Sequence, residues 1–130
     1  MNDLTQSTAP DYDALLQANL TRVFSERDPE RRIEAIRELY EETAVLYEPN
    51  DFSQGHDRIS QAVGVLLDGL PPDFEFRSLG PAVGHHGVGR LRWSGGPKNG
   101  VVIVTGTDVA HFVNGQIHTL HVLLDPPTQS

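Results

Sequence analysis

Three side chains in this sequence have types and settings that could move a proton: Asp108, Glu48 and His121. Asp108 sits inside the apolar run VVIVTGTDVAHFV, residues 101–113. Strand alternation places Val104, Gly106, Ala110 and Phe112 on its face, and Ile103 and Val109 on the other. An aspartate among such neighbours is costly unless it is paired or used. Burial disfavours its charged form, so it would keep its proton near neutral pH and could donate a hydrogen bond. Glu48 ends the run Thr43 to Glu48, just ahead of Pro49. In a wetter position it would stay ionised and could accept a proton. One carboxyl that donates and one that accepts form a pair suited to general acid–base chemistry.

His121 enters through a hairpin. Asn114-Gly115 lies between two runs rich in β-branched residues, the signature of a type I′ turn, whose central residues both need φ > 0. With a regular two-residue loop Val113 pairs with Gln116, and Asp108 then faces His121 as a proton-relay dyad. One bulge in either strand reverses the faces and puts Leu120 and Val122 beside Asp108 instead. The sequence leaves both registers open. His85 and His86 are adjacent on an extended segment and point apart, so they read as solvated residues. His111 and His118 read as outer-face residues. No spacing supports a metal site, and neither metal nor cofactor is expected.

These groups need a scaffold. Asp11 to Glu26 carries Tyr12, Leu15, Leu16, Leu20, Val23 and Phe24 at helical spacing. Asp28-Pro29 marks a second helix start, with Ile33, Ile36, Leu39 and Tyr40 as its buried stripe. Thr43 to Glu48 has strand character, Asp51 to Gly55 reads as a loop, and His56 or Asp57 caps a third helix carrying Ile59, Ala62, Val63 and Leu66. From Phe74 the period drops to two, with strands near residues 74–79, 87–94, 100–113 and 116–124. Helices first and a meander last predict an α+β domain, a cone in which about three N-terminal helices pack on a strongly curved antiparallel sheet.

The domain should span residues 11–125, with loose tails at 1–10 and 126–130. A chain of 130 residues buries enough surface to fold without metal or disulfide, and it has no cysteine. The net charge of −8 disfavours nucleic acid and anionic membrane as partners. The polar N-terminus has no signal-peptide core, so a soluble cytoplasmic protein is expected.

The element order resembles the nuclear transport factor 2-like (NTF2-like) superfamily, in particular its SnoaL-like polyketide cyclase and ketosteroid isomerase branch. Two local matches carry the resemblance. One is Ala44 to Pro49 followed by Gly55 at a helix start; the other is Thr107 to Phe112 before the Asn-Gly turn. In the isomerases the first position holds the general base and the second an aspartate that donates to the oxyanion. The resemblance thus implies Glu48 as base and Asp108 as acid, in an apolar pocket, with a homodimer formed through the outer sheet face. Leu20 stands where the isomerases carry a tyrosine on the first helix.

The expected pocket side chains are Leu16, Leu20, Phe24, Leu46, Val63, Leu91, Trp93, Ala110, Phe112 and Val122. The ligand would be a small, largely apolar organic molecule. Two functions fit: a cofactor-independent isomerase, cyclase or dehydratase, or a non-catalytic ligand-binding or dimerisation domain, which the missing tyrosine favours.

Overall fold

The structure, a computed structural model, describes residues 9–127. The expected tails, apart from residues 9–10 and 126–127, lie outside the described residues. Asp11 opens α1 (Tyr12–Ala18), its carboxylate accepting from the Ala14 N–H at 3.0 Å. A π-helical turn, Asn19–Val23, continues α1. Leu16, Leu20, Val23 and Phe24 are buried along this stretch, as their spacing requires. Asp28 caps α2 (Pro29–Leu39), with proline in the first turn, where no N–H is needed.

The chain then enters β1 (Tyr40–Glu48) directly and folds back into β2 (Asp51–Gln54). This strand replaces the loop expected at Asp51 to Gly55. The short edge strand is too polar and too exposed to show alternation. Gly55, at φ 91°, precedes α3 (His56–Asp68) and holds the cap position that sequence assigned to His56 or Asp57. Five strands occupy the second half: β3 (Phe74–Ser78), β4 (Val83–His85), β5 (Val88–Pro97), β6 (Val104–Val113) and β7 (Gln116–Leu124).

The seven strands form one sheet in the order β2-β1-β7-β6-β5-β3, with β4 also paired to β5. All neighbours are antiparallel except β1 and β7, which run parallel. The sheet is therefore mixed, which corrects the expected all-antiparallel meander. Alternation within each strand says nothing about pairing between the first and last strands. The three helices pack on one face of this α+β fold, and Leu16, Ile36, Leu46, Ile59, Leu91 and Leu120 are fully buried between the layers. No helix among the described residues is long and apolar enough to cross a membrane.

The Asn114-Gly115 turn has both residues at positive φ, 54° and 80°, as a type I′ turn needs. Val113 pairs with Gln116 and Phe112 with Ile117, and then the ladder slips: His111 pairs with Thr119, leaving His118 as an extra residue in β7. This is a β-bulge. The parallel β1–β7 ladder is irregular at the same level, between Tyr40 and Val45. The bulge reverses the faces of β7 beyond it.

Candidate functional site

Asp108 lies at the middle of β6 and is 3% exposed. Its neighbours on the sheet are Leu91 of β5 and Val122 of β7. One partner satisfies it: the indole N–H of Trp93 donates to Oδ1 at 2.9 Å. The ring reaches Asp108 because Trp93 pairs with Gly106, where any Cβ would overlap the indole. Burial pushes the Asp108 carboxyl up to about 7, a shift that the Trp93 hydrogen bond partly opposes. Near neutral pH the group retains much of its protonated form. With Oδ1 accepting from the indole, Oδ2 is the oxygen left to carry a proton.

Asp108 borders a cavity of about 200 Å³. The lining includes Leu20 and Phe24 of the first helical segment, Leu66 and Leu70 at the end of α3, and Phe74 and Phe76 of β3. Trp93, Val104, Val122 and Leu124 complete the sheet side, and Glu48 and Pro49 lie at the end of β1. Phe74, Phe76 and Trp93 stack edge to face along one wall, with centroids 5.2 and 5.3 Å apart. Glu48 and Asp108 therefore face one apolar space. Burial first, and the charge of Asp51 second, raise the Glu48 pKa above the usual carboxylate value. Asp51 stands opposite Glu48 in the β1–β2 ladder.

His121 is elsewhere. The bulge at His118 pairs it with Val109, on the opposite face from Asp108, and its ring stacks on Tyr47 at 4.6 Å. Of the two registers that the sequence leaves open, the structure has the bulged one, with Asp108 beside Val122, so the Asp108–His121 dyad does not form and His121 falls outside the site. His118 holds Glu41 at 2.6 Å, and His111 lies edge-on to it at 5.5 Å. His85 and His86 are exposed, but their rings meet at 2.9 Å because His86 turns out of β4 with φ 52°. Among the described residues no three His, Asp or Glu side chains converge as metal ligands.

Of the ten expected pocket side chains, Leu20, Phe24, Trp93 and Val122 line the cavity. Leu16, Leu46, Val63, Leu91 and Ala110 are buried in solid core instead, and Phe112 borders a separate open pocket beside Tyr12. The reason is the close approach of α1 to the sheet at that end. Tyr12 lies against Gly84 and Gly89, where a Cβ would overlap its ring, and Leu16 follows beside it. Phe112 meets Tyr12 edge-on at 5.5 Å. The cavity beside Asp108 lies toward the other end of β6. Sequence reasoning missed Pro49, Leu66, Leu70, Phe74, Phe76, Val104 and Leu124 as lining residues. Alternation carried the signal for Phe74 with Phe76 and for Val122 with Leu124.

A second buried polar pair lies behind the cavity. The Tyr40 hydroxyl donates to Asn19 Oδ1 at 2.5 Å, and both residues are fully buried. Burial, and then the nearby Asp108 charge, raise the Tyr40 pKa well above its usual value. Leu20 of the first helical segment gives the cavity an apolar side chain with no hydrogen-bonding group.

Solved structures share this architecture. A SnoaL-like family protein from Agrobacterium tumefaciens, assigned as an isomerase, superposes with a TM-score of 0.81 at 23% identity, over 88% of this chain and 97% of that one. The chain has the NTF2-like fold. A protein from Kribbella flavida assigned as a ketosteroid isomerase matches with a TM-score of 0.69 at 11% identity, over 92% of this chain and 81% of that one. A de novo designed protein with a curved β-sheet matches at 0.66 and 15% identity, over 92% and 88% of the two chains. No protein-family profile and no curated protein sequence matches. A designed scaffold shares the NTF2-like fold with proteins assigned as enzymes, so the fold alone assigns no activity, and the argument must come from the cavity.

Proposed function

We propose that the chain binds a small apolar organic molecule in this cavity and catalyses proton transfer at the carbon next to its carbonyl. Glu48 is the base. It takes the α-proton, the C–H electron pair becomes the C=C bond, and the carbonyl π-electrons move onto oxygen. Asp108 donates its proton, or a strong hydrogen bond, to that oxygen. Returning the proton to the same or another carbon completes an exchange or an isomerisation; where the ligand carries a β-hydroxyl, the enolate re-forms the carbonyl, the C–O bond breaks, and the hydroxyl takes the proton held by Glu48 and leaves as water. The observation that carries the reading is Asp108 itself: a buried carboxyl, titrating near 7, on the wall of an apolar cavity that also holds a second carboxylate.

The test is α-hydrogen exchange in D2O, followed by NMR over a panel of one- to four-ring ketones. At least one ketone should exchange faster with protein than with buffer. Asp108→Asn and Glu48→Gln should each lower that rate at least tenfold, since a positioned proton-transfer group contributes on the order of a hundredfold or more. Exchange that both variants leave unchanged would overturn the assignment.

Leu20 favours a second reading, ligand binding without turnover, because the cavity lacks a second oxyanion donor on the first helix. Saturable binding with no exchange for any ketone would select it. The outer sheet face, with exposed Tyr47, Val88 and Leu123, is where a second copy would pair under the proposed homodimer. Sedimentation velocity tests that pairing.

A further inference from the structure

We infer that the ligand is an uncharged carbonyl compound of one ring, or at most two fused rings, held through a single oxygen. The inference rests on the proposed reading of the cavity and narrows it.

The size limit follows from volume. The cavity has a volume of about 200 Å³ and opens beside Glu48 and Leu66. A buried apolar cavity of about 150 Å³ takes up benzene. At that volume per atom the space beside Asp108 takes about eight non-hydrogen atoms, one ring with a short substituent, and a second fused ring reaches into the mouth at Glu48. At the same volume per atom a four-ring carbon skeleton needs on the order of 400 Å³. The walls do not give way easily. The Trp93 indole is wedged between Phe76 at 5.3 Å and the backbone at Gly106. Phe74 lies flush on Gly95, where an added Cβ would come within 2.8 Å of its ring. Behind them Leu46, Leu91 and Leu120 are fully buried.

The polarity limit follows from the lining. Its ionisable side chains are Asp108 and Glu48, and the Trp93 N–H is already given to Asp108. Asp108 thus offers one donor to one ligand oxygen. Glu48 can only accept while ionised, so a second acceptor on the ligand would be buried without a donor, at a cost of about 1–3 kcal/mol.

The charge limit follows from the mouth. Glu48 and Leu66 line both the cavity and a shallower depression beside it, between β2 and α3. A molecule entering there passes Glu48 and Asp51, which face each other across the hairpin, with Arg58 as the one cation lining that depression. Two carboxylates against one guanidinium, on a chain of net charge −8, disfavour an anion. Inside, a carboxylate ligand would meet Glu48 with no cation to offset it.

Trp93 is the only tryptophan, so its indole N–H gives a single NMR signal that reports from the cavity wall. Four probes separate the limits: acetophenone, its anionic near-isostere benzoate, the bicyclic α-tetralone, and the four-ring ketone progesterone. Acetophenone and α-tetralone should shift the indole signal saturably. Benzoate and progesterone should bind at least tenfold more weakly. Progesterone matching α-tetralone would overturn the size limit, and benzoate matching acetophenone the charge limit, with the cavity reading intact in either case. If none of the four moves the indole signal, the inference and the proposed binding function fall together.

Discussion

The indole N–H of Trp93 donates to Oδ1 of Asp108 at 2.9 Å, from the adjacent strand and two pairs along the ladder. This bond is the acid's direct hydrogen-bonded protein partner, and it favours the ionised form against a larger opposing effect of burial. Trp93→Phe keeps an aromatic wall but removes the donor. The Asp108 pKa should rise above its present value of about 7, and the protein should lose about 1–3 kcal/mol of stability. A carboxyl-carbon NMR titration reads the first and urea unfolding the second. An Asp108 titration that stays in place would show that the indole does not tune the acid.

Gly106 makes room for that bond. A methyl group there would overlap the indole and come within 2.6 Å of the Leu123 carbonyl oxygen. Gly106→Ala should therefore cost about 1–3 kcal/mol through overpacking. It should also move the Trp93 indole NMR signal, because the ring must leave its seat. A signal that stays in place, with stability unchanged, would remove Gly106 from the account of the site.

Burying Asp108 has a cost that depends on pH. Its pKa rises from 3.8 in the unfolded chain to about 7 in the fold. Between these values the folded protein holds a proton that the unfolded chain has released, so stability falls as pH rises across the window. The fall is complete above about pH 7 and totals on the order of 4 kcal/mol. Asp108→Asn removes the titration. Native protein and variant should diverge progressively from pH 4 to pH 7, with the variant gaining, when urea midpoints are compared. Parallel curves across that range would show that Asp108 is not buried as described.

Much of this arrangement is legible in the sequence. The capped helices at Asp11 and Asp28, the Asn114-Gly115 turn and the face shared by Gly106, Asp108 and Ala110 all follow from local rules. Two features do not. The extra residue at His118 is decided by how β7 fits between β1 and β6, which no local pattern records. The division between cavity and solid core also escapes alternation. Leu91 and Trp93 share a face of β5, yet the first packs in the core and the second lines the cavity. What separates them is the approach of Tyr12 and Leu16 to Gly84 and Gly89, a contact between distant parts of the chain.

Glu48 and Asp51 give the activity a testable lower limb. As a base Glu48 works ionised, so exchange should rise with pH through its pKa and fall again as Asp108 loses its proton near 7. Burial is the larger cause of the raised Glu48 value and the Asp51 charge the smaller. Asp51→Asn should therefore move the acidic limb to lower pH without returning it to the usual carboxylate value, and leave the upper limb near 7. An acidic limb unmoved by Asp51→Asn would argue that another group is the base.

His121 gives the opposite expectation. It pairs with Val109 on the face away from the cavity and stacks on the exposed Tyr47 at 4.6 Å. Its ring cannot reach Asp108, whose sheet neighbour is Val122. His121→Ala should leave the exchange rate within twofold of the native value. Stability should change by about 0.5 kcal/mol or less, as for a surface substitution that removes one exposed stack. If instead the rate fell tenfold while stability held, β7 would have to sit in the unbulged register during turnover. His118 would then rejoin the ladder, and its contact with Glu41 would have to break.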